Sequence, residues 1–466
     1  LSNIDVPVAA TTPLDKARYQ RALDDLFGRL NYERTPEAAR SIRDFRLTQM
    51  QQLLEELGNP QNRIPTVHIA GSKGKGSTAT MVASIVQAAG YRVGLFTSPH
   101  LIRFEERFTV NGVEASHREV ADLFDQVNAA SQRLQNRTQE PSPPHTYFEL
   151  ATAMGWLHFL NNQVDLAVME VGLGGRLDST NVCSPLVTAI TSISLDHTRL
   201  LGETLELIAK EKGGIIKPGV PVVTNVADPA AFGAIEAIAQ EKSASQFQLG
   251  RDFHYVSIPP ASGASPRLPN YRFDFQGLGT TLHNLQLNLP GEHQCQNGAL
   301  ATAIAILLRQ NSFDITESAI RQGLASARCP LRIEVLSEQP LIIVDVAHNP
   351  ASIKALCETL QQVPAQRRIT IFASSRDKAA DEMLRILGQT MDEIWITRFS
   401  SNPRAVDLDE LARHAERTLT TPWRIFPDGK SALAAAMEES RPGDMYCVTG
   451  SFFLAGEVKA ILKPTE

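Results

Sequence analysis

Apolar positions in this chain come in short runs, separated by stretches where they recur every three to four residues. Two amphipathic stretches come first and predict helices over Pro13 to Leu30 and Pro36 to Leu57. "LGNPQNRIP" breaks the second and leads into "TVHIA", which reads as a buried strand. A Gly-rich loop follows, then "STATMVASIVQAAG", a helical pattern with Gly90 as its C-terminal stop. "YRVGLFT", "VDLAVMEVG", "LVTAITSI" and "VPVVTN" predict further buried strands, with helices over Tyr147 to Leu160 and "TLELIAKEKGG". Strands alternating with helices imply a mostly parallel sheet covered on both faces.

Three segments break this rhythm. "RFEERFTVNG" predicts an extended, partly exposed excursion ending in an Asn-Gly turn. "QNRTQEPSPPH" is polar and Pro-rich, as a surface loop is. From Phe247 to Pro290 short polar-apolar alternation with Gly and Asn turns predicts a small antiparallel insertion. A second series starts near Arg328: "LRIEVLS", "LIIVDVA", "RITIFAS", "EIWITRF", "WRIFP" and "DMYCVTG", with helical stretches between most of them. The fold class expected is α/β. A mostly parallel N-terminal domain over residues 1–328 precedes a smaller Rossmann-like domain over 329–466.

Composition narrows the function. With 45 Lys and Arg against 51 Asp and Glu, the net charge of -6 argues against non-specific nucleic-acid binding as the main task. The five cysteines, Cys183, Cys295, Cys329, Cys357 and Cys447, are far apart and form no C-x-x-C pair, as expected of free thiols in a reducing compartment. The first residues lack a signal-peptide pattern, and no apolar run reaches the ~18 residues a membrane span needs. A cytoplasmic protein without a membrane partner is expected.

Candidate chemistry sits where predicted strands end. "GSKGKGST" (Gly71 to Thr78) lies between a strand and a helix, the setting in which glycines turn backbone N–H groups toward a phosphate. Its spacing departs from the general phosphate loop. Gly76 follows Lys75, Ser77 comes one place late, and Ile69 stands at the expected first Gly. Ser98 follows the second strand, Glu170 closes "DLAVME", and Asp196-His197 closes "TAITSISLDH". A carboxylate at the end of a buried strand needs compensation, from Mg²⁺ or from an arginine such as Arg176. Together Ser98, Glu170 and His197 form a candidate metal site beside the phosphate loop. Lys210 and Lys217 read as a solvated helix face. In the second series Asp345 ends "LIIVD", and His348 and Asn349 follow in a loop.

These words occur in a telling order: "LGNPQ", "AGSKGKGST", "GYRVGLFTSPHL", "TYFE", "MEVGLGGRLDSTN", "SLDHTRLLGETLELIAKEKGGIIK", "LRIEV", "VDVAHNP" and "VTGSFFLA". From about Leu57 to Leu454 the chain resembles the folylpolyglutamate synthase and dihydrofolate synthase family of the Mur ligase superfamily. In that family the loop reads G-T-N-G-K-G-S/T, which accounts for the late serine. The resemblance implies that Lys75 is the phosphate lysine, within an ATP loop of Ser72, Lys73, Gly74, Lys75, Gly76 and Ser77. It implies Mg²⁺ ligands Ser98, Glu170 and His197, and a carbamylated Lys212 helping to hold a second Mg²⁺. It implies adenine and ribose contacts from Asn297, Arg332 and Asp345. Pterin or folate contacts fall on Thr146, Tyr147, Phe148, Glu149, Leu177, Asp178 and Ser179.

This chain departs from the family in four places. Lys73 stands where Asn is usual, as a phosphate contact or a solvent-facing cation. Ser72 stands where Thr is usual. Arg46 replaces the family's Gly in the early helix, which leaves the N-terminal part of the pteroate pocket unassigned. Ser179 replaces the Ala of some bifunctional members.

The implied activity is ATP-dependent ligation of L-glutamate to a folate, or to dihydropteroate, through an acyl phosphate. His348 would orient the acyl phosphate or the glutamate. The resemblance also implies a monomer. Two other readings are a peptidoglycan-type Mur ligase using a UDP-linked acid and a non-catalytic ATP-binding protein. The first calls for a further domain before the phosphate loop, where this sequence has 70 mostly helical residues ahead of Gly71.

Overall fold

Thr66–Ala70 forms β1, buried along its whole length, and the main sheet grows outward from it on both sides. The computed structural model describes residues 12–32, 47–137, 143–258, 268, 271–376 and 378–463. The strands of the main sheet are β1, β2 (Val93–Phe96), β3 (Phe108–Val110), β4 (Val113–Glu114), β5 (Leu166–Glu170), β6 (Val187–Ile190), β7 (Val222–Thr224) and β8 (Gln246–Gln248). Their order is β4-β3-β2-β5-β1-β6-β7-β8, parallel except for the β3 and β4 edge. Successive strands run to either side of β1, so a crevice opens at its carboxyl end.

Local sequence explains the helix that follows. The helix Lys75–Ala88 buries Ala79, Met81, Val82, Ile85 and Val86 between the sheet and the helices Glu292–Arg309 and Glu317–Ser326. Each of the larger aliphatic side chains contributes about 1.5–3 kcal/mol by leaving water. Gly90 ends the helix with φ +93°, as its position in the sequence predicts. The other face of the sheet is covered by the helices Pro13–Gly28, Leu47–Glu56 and Tyr147–Asn161. Of the predicted helix over Pro36 to Leu57, the part before Leu47, with Arg46, lies outside the described residues. So does part of the Pro-rich loop, residues 138–142.

Two expectations need correction. Phe247 belongs to β8, which pairs in parallel with β7. The antiparallel insertion therefore begins later, with β9 (Phe253–Ile258), β10 (Arg272–Gly277) and β11 (Thr280–Gln286). "RFEERFTVNG" starts as a buried 3₁₀ turn, Phe104–Arg107, because Phe104 and Phe108 pack edge to face in the core. Only its tip is an open hairpin, with Asn111 at φ +50° and Gly112 at φ +76°.

The second sheet uses all six predicted strands: β12 (Glu334–Glu338), β13 (Leu341–Val344), β14 (Arg367–Phe372), β15 (Glu393–Ile396), β16 (Trp423–Ile425) and β17 (Asp444–Thr449). Their order is β12-β13-β17-β14-β15-β16, with β12 the antiparallel edge. Along β13, Ile342 and Val344 enter one core and Ile343 the other, so the unbroken apolar run serves both faces. Among the described residues no helix is long and apolar enough to cross a membrane.

The helix bearing the phosphate loop is backed at van der Waals distance by Gly323, where an added Cβ would run into the Ile85 backbone. Gly323→Ala should cost about 1–3 kcal/mol through overpacking. Thermal unfolding should show a lowered midpoint; an unchanged midpoint would mean that the two helices do not meet so closely.

Candidate active site

Loops at the carboxyl ends of β1, β2, β5 and β6 face loops from the second sheet across one cleft of about 1410 Å³. The loop after β1 is stitched to the loop after β6. Ser72 N–H donates to the Ser192 carbonyl at 2.7 Å, and Lys73 N–H to Ser192 Oγ at 3.0 Å. Thr191 Oγ1 donates to the Lys73 carbonyl at 2.5 Å, and Ser194 N–H donates to Ser72 Oγ at 3.0 Å. Gly71 needs its missing side chain because Thr191 fills that space. Gly74, at φ +82°, starts the helix, and the Asn297 amide lies against its Cα. The positive end of the helix Lys75–Ala88, with Gly76 and Ser77 in its first turn, therefore opens onto the cleft.

Lys75 and Lys73 have different environments. Lys75 is the first helical residue and lines the cleft. Lys73 Nζ lies 2.8 Å from Asp196 Oδ2, so it neither points to solvent nor waits unpaired for phosphate. Lys378, from the loop after β14, reaches the same carboxylate at 3.5 Å. Burial alone would raise the Asp196 carboxyl, but Lys73, His197 and Lys378 hold it below the usual range.

Glu170 sits next to this loop, at the end of β5. Its Oε2 accepts Ser98 N–H at 3.2 Å, and Gly76 leaves open the space beside it. Burial pushes its carboxyl up, opposed by Lys75 and by the Ser98 N–H. Arg176 pairs with Glu211 at 2.8 Å, which removes it as the partner of Glu170. His197 stands at the cleft surface with its side chain 42% exposed, yet the surrounding walls lower its imidazole to about 4. Lys212 is buried, and its Nζ donates to the Gly71 carbonyl at 3.0 Å. Burial, then the charge of Lys75, lower it to about 7. No group of three His, Cys, Asp or Glu converges at metal-binding spacing among the described residues. A metal here would need the Ser98 hydroxyl and a carboxylated Lys212 besides Glu170 and His197. Lys210 pairs with Glu206 in the open, as expected, but Lys217 is partly buried and donates to the Asn181 carbonyl at 2.9 Å.

At the far end of the cleft, Thr146 and Glu149 form a reciprocal helix cap. Phe148 lies on Gly172, which has no room for a side chain. Tyr147 sits behind the wall, fully buried against Phe27 and Arg107. Leu177, Asp178 and Ser179 line the same cleft. From the second sheet come Arg332, Asp345 and His348. Asp345 accepts N–H bonds from Ile333 at 3.0 Å and Ala347 at 2.7 Å. His348 Nδ1 donates to the Val346 carbonyl at 2.7 Å, and burial lowers its imidazole to about 3. It is therefore neutral, with the lone pair on Nε2.

Sequence reasoning missed Lys378, His68 and His293, the last lining the cleft with its imidazole lowered to about 4 by burial and then by Arg332. Lys378 follows a strand end, the same signal that pointed to Ser98. His68 and His293 carried no signal beyond residue type.

Two outcomes test this geometry. Gly74→Ala forces a side chain into a left-handed position against Asn297. It should weaken nucleotide binding about tenfold, measured by equilibrium titration, and unchanged affinity would contradict it. His68, lowered to about 3 by burial and then by Lys217, releases its proton on folding across mildly acid pH. Its contribution is present above about 6.5 and is lost as pH falls toward 3. The loss of stability between pH 7 and pH 5, read by chemical denaturation, should be smaller in His68→Gln than in the parent.

Residues 69–305 match the Mur ligase middle domain, and residues 331–452 match the Mur ligase, glutamate ligase domain. The chain is 36% identical over 448 residues to the dihydrofolate synthase/folylpolyglutamate synthase of Bacillus subtilis, covering 96% of this chain and 99% of that one. Mycobacterium tuberculosis folylpolyglutamate synthase, solved with ADP and AMPPCP, superposes with a TM-score of 0.85 at 29% identity, over 97% and 99% of the two chains. Escherichia coli FolC, solved with DHPP and ADP, gives a TM-score of 0.78 at 32% identity, over 90% and 93%.

Proposed function

The chain belongs to the folylpolyglutamate synthase/dihydrofolate synthase family of the Mur ligases, and from that premise we propose how its cleft carries out the family's reaction. It is an ATP-dependent, amide-forming ligase that attaches glutamate to a folate. In the proposed sequence the folate carboxylate attacks the γ-phosphorus of ATP, ADP leaves, and an acyl phosphate forms. The glutamate amine then attacks the acyl carbon, loses a proton and expels phosphate. The observation that carries this reading is the meeting of Lys75, Lys73 and Lys212 with Asp345 and His348 of the second sheet in one cleft.

Making an acyl phosphate brings two anions together, so the residues' main work is neutralisation and positioning. Lys75, the N–H groups of the loop from Ser72 to Ser77 and the helix N-terminus hold the phosphates. Asn297, Arg332 and Asp345 hold the adenine and ribose. Glu170 and Ser98 offer hard oxygen donors in a space that Gly76 keeps open, which suits Mg²⁺. His197 and a carbamylated Lys212 would complete a site for two ions. Bound Mg²⁺ would neutralise phosphate charge and polarise the γ-phosphoryl group. A lysine lowered to about 7 is substantially neutral at physiological pH, so its Nζ can attack CO₂ and lose a proton to become the carbamate. Neutral His348, with its free lone pair on Nε2, suits the glutamate amine better than the acyl phosphate. Thr146, Phe148, Glu149, Leu177, Asp178 and Ser179 form the folate end, with Tyr147 supporting it from behind. The pair Asp196–Lys378 draws the two halves together over the loop and helps exclude water from the acyl phosphate. Our reading also includes dihydropteroate as an acceptor, a domain boundary at 328/329, and a cytoplasmic monomer.

Full-length protein with Mg²⁺ and ATP should release ADP in proportion to product when given glutamate with tetrahydrofolate or with dihydropteroate. Turnover with one acceptor alone assigns specificity, and turnover with neither refutes the ligase reading. Lys212→Ala should lose on the order of 100-fold in rate and recover partly with acetate or formate. Full activity without rescue would remove the carbamate from the reaction.

A further inference from the structure

The cleft wall that carries Leu177, Asp178 and Ser179 is held from beneath by a side chain that the reaction above does not use. His68 lies in the middle of β1 and is fully buried. Its Nε2 is 2.8 Å from Thr180 Oγ1, which is 2.5 Å from Asp178 Oδ1. Oδ1 also accepts Thr180 N–H at 3.0 Å, and Oδ2 accepts Leu173 N–H at 2.9 Å. His68 Nδ1 is buried with no partner among the described residues.

These contacts set the direction of every proton. Thr180 has one hydroxyl hydrogen to give. If it went to His68, the imidazole proton would sit on Nδ1, a buried N–H without an acceptor. Asp178 would also have to be protonated, since two oxygens 2.5 Å apart with no proton between them repel. A buried unpaired donor is rarer and costlier than an unpaired lone pair. The arrangement with the lower cost is His68 Nε2–H donating to Thr180 Oγ1, and Thr180 Oγ1–H donating to Asp178. Burial pushes the Asp178 carboxyl up, and the bonds from Thr180, Leu173 and Gly172 oppose that push. On balance the carboxyl stays raised, and both of its oxygens are held as acceptors in a single orientation.

We propose that His68 and Thr180 are positioning residues for folate recognition, fixing the Asp178 carboxylate at the pterin end of the cleft through this one-directional chain. The inference rests on the reading that Leu177–Ser179 meets the pterin, whose ring amide N–H and amino group are donors that a fixed carboxylate accepts.

Steady-state kinetics of the full chain with tetrahydrofolate, ATP and glutamate test it. Thr180→Val and His68→Leu should each raise the KM for tetrahydrofolate on the order of tenfold, with kcat and the KM for ATP within about twofold. Thr180→Ser and His68→Gln, which keep the donors, should stay near the parent. The double variant Thr180→Val/His68→Leu should cost no more than Thr180→Val alone, because His68 acts through Thr180. An unchanged folate KM, a matching rise in the ATP KM, or additive losses would each overturn the proposal. If Thr180→Val does not fold, His68→Leu against His68→Gln decides. Asp178→Asn separates the two layers. A folate KM unmoved by Asp178→Asn refutes the pterin reading itself. A raised KM there, with His68→Leu and Thr180→Val unaffected, refutes only the chain beneath it.

Discussion

The seam between the loop after β1 and the loop after β6 is the constraint on which the cleft depends. Backbone and hydroxyl groups of Ser72 and Lys73 are tied to residues 191–194 across more than a hundred positions of sequence. That tie orients the N–H groups and lysines before any anion arrives, so no reorganisation is needed when charge develops. It also explains why glycines stand at Gly71 and Gly74. One faces Thr191, and the other takes up a left-handed turn against Asn297.

Charge at the seam is crowded and therefore tuned. Lys75 and Lys73 both disfavour the protonated form of Lys212, and burial does so more strongly. Asp196 offsets this crowding by pairing with Lys73 and, across the cleft, with Lys378. One carboxylate thus links the phosphate loop to the second sheet. The residue that looked anomalous in the loop, Lys73, is one of the two cations that hold that link.

Much of the architecture is legible in local sequence. All six strands of the second sheet, the strand–loop–helix unit and the helix stop at Gly90 follow from local pattern. Polar residues at strand ends pointed to Ser98, Glu170 and His197 on the main sheet and to Asp345 on the second, because each parallel sheet gathers its strand ends at one edge. The pattern failed at Phe247 and at "RFEERFTVNG". There a strand joined the main sheet, and a polar-looking turn buried its aromatic rings. Alternation of residue types is blind to which neighbour a segment will meet.

By itself the sequence determined which segments are strands and helices, which glycine-rich loop leads into a helix N-terminus, and which strand ends carry polar side chains. These depend on residues a few positions apart. Tertiary structure alone decided that Lys73 pairs with Asp196, that Arg176 turns to Glu211 and not to Glu170, and that Tyr147 stands behind the wall. It alone brought Lys378 across the cleft and His68 beneath Asp178. Each of those depends on burial and on partners distant in sequence, and the free energy of a charge or a polar hydrogen is set by that surrounding.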